Sequence, residues 1–426
     1  MSTATLVETT RTKHAALWQW WQGRGDLVGD GVLYGLASAF ALGTYLVSAT
    51  VAQSWWGALS ATPYLFVALV AFGASRRRWR SVLRVRLVLC ALAVLGAVVV
   101  PLALMAQWRQ ASPAGNYAQP EVMVIERAAN LLYDGHDPYQ AIWLHGRLQH
   151  EVANVPAYES YYPYFPLMSV FGAPATVTKH RTSLTDARVV MTLVTIGCLA
   201  GALVLLRLSG RHALRVTQIL IALPTGAMFL ATGGDDMPLL GLMLLGVAFL
   251  SRRRVHAAAI TLGLSTAIKL TAWPMLLGAL LVARDGQGRA RPRTVALWAA
   301  VIVASTVVPY VVLNPATFLS NVVEFPLGLT HVVSPAASPL PGHLLTVLWA
   351  PLGHVLTPLT LVVGGYFLAK YLRGHWPLSL SRMLAVLALG TTVVILTASA
   401  TRSGYVIYPL NFWLWSHVTK ERASAV

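Results

Sequence analysis

The run EVMVIERAANLLYDGHDPY (121–139) sets Glu121, Glu126, Asp134 and Asp137 beside long apolar stretches. The chain has fifteen acidic residues, and six of them (Glu121, Glu126, Asp134, Asp137, Glu151 and Glu159) fall within 121–159. A carboxylate beside a membrane span is costly unless solvated or paired, so acids gathered there are candidates for taking a proton from a substrate hydroxyl. Asp235 and Asp236 follow two glycines at the end of another apolar run. Lys269 interrupts ITLGLSTAIKLTAWPM, where an ammonium group requires a carboxylate, a phosphate or a water-filled cavity unless it snorkels to the interface.

The elements that must position these groups follow from periodicity and composition. Val122, Ile125, Ala129 and Leu132 form one apolar stripe, with Glu126, Arg127 and Asn130 off it. This pattern predicts an amphipathic helix lying along the interface, begun at Pro120 and ended by Gly135 and Pro138. The 426-residue chain is 56% hydrophobic and only 11% charged, against about 25% charged in globular proteins, which makes it an integral membrane protein. Spans are expected near 31–52, 56–75, 86–106, 188–206, 214–231, 237–251, 295–313, 354–371, 382–400 and 404–418. Residues 161–177 hold Pro163, Pro166 and Pro174 and are not expected to form a regular spanning helix. Residues 256–283, broken by Lys269, Thr271 and Pro274, read as two half-helices meeting near one membrane face.

The net charge of +17 resides in arginine blocks between spans: 76–86, 207–215, 251–254 and 284–293. Bases scattered in this way mark cytoplasmic loops, not a nucleic-acid-binding face. The longer loops, 107–160 and 314–342, then face the opposite side. The expected layout is a cytoplasmic segment 1–30, a membrane domain 31–418 and a cytoplasmic tail 419–426. The N-terminus has no short apolar core with a small-residue cleavage site, so no cleaved signal peptide is expected. Cys90 and Cys198 lie within apolar runs and read as buried thiols. No metal and no cofactor is expected, since Asp235–Asp236 alone offers a local pair of oxygen ligands.

Taken in order, these pieces resemble the GT-C membrane glycosyltransferases, specifically glycosyltransferase family 87. In that family an acid opens the first large external loop and is followed by V–Y–x–x–A–A, a leucine pair and G-x-x-x-Y. Here the matching positions are Glu121, Val124, Ala128–Ala129, Leu131–Leu132 and GHDPY (135–139), with Glu where the family has Asp and Ile125 where it has Tyr. YYPYFPL, Gly234 and Asp236, GLSTAIKLTAWP (263–274) and the loop beginning NPATF follow in family order. The resemblance spans roughly residues 85–345 and implies a GT-C-like all-α bundle of about eleven to twelve membrane helices.

The resemblance further implies an inverting transfer of mannose from a polyprenyl-phosphate donor to a lipid or glycolipid acceptor, on the extracytoplasmic side of the plasma (inner) membrane. Such chemistry needs a carboxylate base and a cation or donor for the departing phosphate. Glu121 is the expected base, with Glu126 as the second candidate. Lys269, Arg127 and Arg402 are expected at the phosphate. Asp235, Asp236, His136, His331, Tyr161, Tyr162 and Tyr164 are expected around the acceptor or the sugar, with an Asp235 or Asp236 pairing to Lys269 as the alternative. Two rival readings stand: a polyprenyl-phosphate-arabinose-dependent arabinofuranosyltransferase, and a lipid or sugar transporter or flippase. A broken span suits a transporter, but acids concentrated in one loop and the lack of a visible inverted repeat do not.

Overall fold

The computed structural model describes residues 3–77, 79–112, 116–139, 143–144, 147–148, 156–180, 182–330, 332 and 336–424. Runs of valine, leucine and alanine fold as helices because backbone polar groups in lipid must be satisfied within the segment. The first half comprises α1 (Thr3–Val47), α2 (Val51–Ser75), α3 (Val82–Val94), α4 (Val100–Ala111), α5 (Pro120–Tyr133), α6 (Ala173–Thr178), α7 (Ala187–Leu206), α8 (Gly210–Thr217) and α9 (Pro224–Thr232). The second comprises α10 (Asp236–Ser251), α11 (Val255–Thr266), α12 (Trp273–Val282), α13 (Pro292–Thr306), α14 (Val308–Leu313) and α15 (Pro315–Leu319). It ends with α16 (Pro341–Leu348), α17 (Leu352–Gly374), α18 (Leu380–Thr397) and α19 (Ile407–Ser424). A two-residue antiparallel pair, β1 (Trp143–Leu144) with β2 (Arg147–Leu148), is the sole sheet among the described residues.

Among the described residues six helical stretches are long and apolar enough to cross a bilayer, α3 and α4 counting as one (Val82–Ala111) through the π-helical turn Leu95–Val99, and a seventh if Gly210–Ala222 and Pro224–Thr232, bent by 44°, count as one span. Their outward faces carry apolar side chains such as Leu46, Leu193, Val204, Val362 and Phe367, which suits lipid and not water. The chain is thus an all-α, multi-pass membrane protein. Reaching the expected eleven to twelve crossings needs the shorter apolar helices as well. At 1.5 Å per residue α10 is about 24 Å long and α11 about 18 Å, less than the roughly 30 Å of a hydrocarbon core. Residues 157–178 form two short 3-10 turns and α6 rather than a span, as their prolines require. The expected borders at 30/31 and 418/419 fall inside α1 and α19, neither of which breaks there.

The arginine-rich loops collect at one end of the bundle. Arg252 donates to the Leu205 carbonyl, and Arg253 approaches Gly288. Arg86 binds Asp30 at 2.6 Å and Asp26 at 2.9 Å, and Arg215 reaches Asp30 at 2.9 Å. Two of the arginines assigned to solvated loops are therefore structural, because each meets an acid of α1.

The opposite end is organised around α5. Its first turn is fastened to the end of α9 through Gln119 N to Thr232 O (2.8 Å) and Gln119 Nε2 to Thr232 Oγ1 (2.9 Å). Gly233 then turns with φ 104°, and a Cβ there would meet Val122 Cγ2 at 2.1 Å. Only glycine suits both the left-handed turn and the close approach of α5. The helix has the expected stripe, with Val122, Ile125 and Ala129 buried, but Glu126 is buried too. Arg109 of α4 binds both Glu126 oxygens at 2.9 Å and Asp186 at 3.0 Å, while Arg188 binds Asp186 at 2.8 Å. Burial raises the Asp186 carboxyl, but Arg188 and Arg109 outweigh it and hold the group well below the ordinary range. An interfacial helix with solvated acids is thus replaced by a helix locked between α4 and α7.

Removing one member of such a network strands a buried charge. We expect Arg109→Met to cost about 3–5 kcal/mol in denaturant unfolding of the detergent-solubilised protein. A cost below about 1 kcal/mol, the ordinary value of an exposed pair, would show that the network does not fasten α5.

Candidate active site

Lys269 lies where α11 stops. Its backbone is extended (φ −155°, ψ 146°), so the chain leaves the helix, presents the ammonium and re-enters through a 3-10 turn at Leu270–Ala272. The ammonium is buried and needs compensation, which comes from the start of α10: Nζ lies 2.5 Å from Asp235 Oδ2 and 2.7 Å from Asp236 Oδ1. Both acids sit at a helix N-terminus, where the dipole favours negative charge. Tyr408 of α19 donates to Asp236 Oδ1 at 2.6 Å, and Thr271 Oγ1 lies 3.0 Å from the same tyrosine hydroxyl. Two carboxylates against one ammonium leave the group net negative. Lys269 is paired with both Asp235 and Asp236, the pairing given as the alternative to a phosphate contact.

Glu121 stands in the first turn of α5, another favourable place for an anion. It pairs with Arg402, 281 residues away in sequence. Arg402 is held in the segment between α18 and α19 by backbone pairing to the long loop: Thr401 N to Ala336 O (2.8 Å), Ser338 N to Thr401 O (3.0 Å) and Ser403 N to Ser338 Oγ (2.9 Å). The Arg402 side chain remains 38% exposed, against 11% for Lys269. Burial works against the Arg402 charge, but Glu121 outweighs it and the guanidinium is held above its ordinary range.

Tyr164 joins the two pairs. Lys269 Nζ lies 5.5 Å from the Tyr164 ring centre and 5.8 Å from that of Tyr405. The charges of Asp235, Glu121, Lys269 and Arg402 all act on the Tyr164 hydroxyl. The backbone holds this junction from both sides, with Phe165 N donating to Ile268 O at 3.0 Å and Tyr139 Oη donating to the Tyr164 carbonyl at 2.7 Å. Asn321 Oδ1 accepts from Tyr162 N at 2.8 Å and ties the same segment to the loop after α15. Glu159 is a further acid at this end. Burial raises its carboxyl, Arg127 lowers it and Glu121 raises it, so all three share one neighbourhood. Arg127 itself donates to the Glu159 carbonyl oxygen.

Of the residues expected here, Glu121, Arg127, Tyr164, Asp235, Asp236, Lys269 and Arg402 are brought together. Glu126 is not, because Arg109 and the Ala187 amide (3.3 Å) take its oxygens on another face of the helix. His136 is exposed beyond the far end of α5, about 20 Å along the helix from Glu121. Tyr161 stacks on Phe325 with ring centres 4.3 Å apart, and Tyr162 is buried against Tyr139. His331 lies outside the described residues. Tyr405, Tyr408 and Thr271 belong to the cluster without having been expected there, and Glu159 joins it as one of the acids gathered in 121–159. Thr271 lies inside GLSTAIKLTAWP, so position within a motif was the available signal for it.

A Glycosyltransferase family 87 model matches residues 162–399, more than half of the chain. No curated protein and no solved structure matches it.

The compensation at Lys269 generates a graded expectation. Tyr408→Phe removes one hydrogen bond to Asp236 and should cost about 1.5–3 kcal/mol of stability, the range for bonds to charged groups. Lys269→Met strands two carboxylates and should cost at least about 3 kcal/mol. Equal and small effects in denaturant titrations of both variants would mean that water, not the ammonium, compensates the acids.

Proposed function

The chain belongs to glycosyltransferase family 87, and we propose that it is an inverting enzyme moving mannose from a polyprenyl-phosphate donor to a lipid or glycolipid acceptor at the outer face of the plasma membrane. The supporting observation is the joining of a carboxylate–guanidinium pair, Glu121–Arg402, to an acid-rich group, Lys269–Asp235–Asp236, around Tyr164. The first offers a base and a phosphate ligand. The second offers carboxylate oxygens to sugar hydroxyls, with Asp236 the more exposed acid.

In this reading the donor phosphate meets Arg402, assisted by Arg127, because Lys269 is already held by two acids. A phosphate on Arg402 draws the guanidinium from Glu121 and frees the carboxylate to act as base. The acceptor hydroxyl oxygen then attacks the anomeric carbon as its proton passes to Glu121. The bond from that carbon to the phosphate oxygen breaks, its electron pair leaves with the polyprenyl phosphate, and Arg402 stabilises the added charge. Backside displacement inverts the centre, so a β-linked donor gives an α-glycoside.

Two further features support a lipid donor and an outward-facing site. α10 and α11 are shorter than a bilayer core, which in this reading sets the cluster below the headgroups, where a prenyl chain stays in the bilayer while its phosphate meets protein charge. The arginine-rich loops lie at the other end, which the positive-inside rule assigns to the cytoplasm.

The test is transfer in membranes supplied with radiolabelled polyprenyl-phosphate mannose. Glu121→Gln should lower turnover by about 10²–10⁴-fold, the range for loss of a general base. Glu121→Asp, the acid the resemblance places there, should retain measurable transfer. Arg402→Gln should raise the donor KM more than the acceptor KM. Turnover of Glu121→Gln near that of the parent would remove the residue from this role. A parallel arabinose-labelled donor tests the sugar: transfer from it alone would change the substrate and leave the site in place.

A further inference from the structure

A second feature lies at the arginine-rich end, where a cavity of about 570 Å³ opens between α11 and α13. Arg253, Arg254 and Arg291 line it, with Asp285 as the acid on its wall. Asp285 Oδ2 is taken by Arg291 at 2.7 Å and Arg289 at 3.2 Å, and Oδ1 by the amides of Gln287 and Arg289. No acid among the described residues pairs with Arg253 or Arg254, so the cavity carries excess positive charge. Arg253 adopts φ 57° in the turn between α10 and α11.

Backbone donors add to this charge. Val255, His256 and Ala257, the first turn of α11, line the cavity, and the N-cap residue Arg254 makes no side-chain cap bond. Thr294, in the first turn of α13, lies on the opposite wall, and that helix also starts without a side-chain cap bond. The start of α11 and two exposed guanidiniums without an acid partner meet in one cavity, which favours an anion, and Thr294 adds a hydroxyl from α13, whose first residue Pro292 has no N–H. Below Thr294 the same face of α13 continues with Leu297 and Val301, which are 64% and 50% exposed.

We propose that this cavity binds the phosphate of an anionic phospholipid, whose acyl chain lies along Leu297 and Val301. The lipid is favoured over free phosphate because the polar cavity continues directly into an exposed apolar stripe on a membrane helix. Bound there, the lipid joins α11 to α13 at the end of the bundle remote from the acid cluster.

The test uses the full-length protein in zwitterionic micelles. Cys90 and Cys198 are buried, so an environment-sensitive dye can be attached selectively after Thr294→Cys. Dioleoylphosphatidylglycerol should change its emission at concentrations about tenfold or more below those required of dioleoylphosphatidylcholine. Inorganic phosphate should have no effect at millimolar concentration. Adding Arg253→Gln with Arg254→Gln should weaken the phosphatidylglycerol response by about tenfold or more. A full response to inorganic phosphate would overturn the lipid source and leave an anion site. Equal responses to the two lipids, or a double variant that responds like its parent, would overturn the site itself. Should the double variant fail to fold, the comparison of the two lipids on the arginine-intact protein decides the matter.

Discussion

A charge withdrawn from water at membrane depth persists only if an opposite charge meets it, and this requirement shapes both ends of the bundle. Lys269 is the clearest case, because its own helix pair supplies no acid. The start of α10 must therefore stand beside the break between α11 and α12, and Tyr408 must bring α19 to the same point. One buried ammonium thus constrains four helices. The same rule places Asp30 of α1 against Arg86 and Arg215 at the other end, and Arg109 between α5 and α7.

These networks divide into two kinds. The Arg109–Glu126–Asp186–Arg188 group is closed, with each acid saturated by guanidinium contacts and little exposure, and it makes α5 rigid. The group around Tyr164 is more open: Arg402 is more than a third exposed, and Lys269 has one acid more than it needs. Its charges face one another from α5, the proline-rich segment, α10 and the α18–α19 connection. The sugar transfer proposed for this site needs this combination of a fixed frame and charges that can exchange partners.

Features carried within one stretch of chain were legible in advance. The apolar runs at 56–75, 86–106, 188–206, 354–371 and 382–400 fall on helices long and apolar enough to cross a bilayer, while those at 237–251 and 295–313 fall on shorter helices and 31–52 runs over the junction of α1 and α2; Pro120 marked the start of α5, and Pro163, Pro166 and Pro174 excluded a spanning helix over 161–177. The break at Lys269 was legible because lysine, threonine and proline cannot continue an apolar helix smoothly. Pairings between distant segments were not. Nothing local to Glu121 names Arg402, and nothing local to Glu126 names Arg109, so two acids of similar appearance on one helix differ in role. Periodicity also assigned Glu126 to a solvated face, whereas a buried arginine on α4 draws it inward. His136, near in sequence to the acids, is carried away by the length of the helix that separates it from them.

The proposed transfer requires that Glu121 yield its partner Arg402 to an incoming phosphate. The most direct measurement is an experimental structure of the full-length protein with a non-transferable polyprenyl-phosphonate sugar. The expected result is the phosphonate on the Arg402 guanidinium, with Glu121 released and facing the anomeric carbon. A phosphonate bound away from Arg402, with the Glu121–Arg402 pair intact, would contradict it.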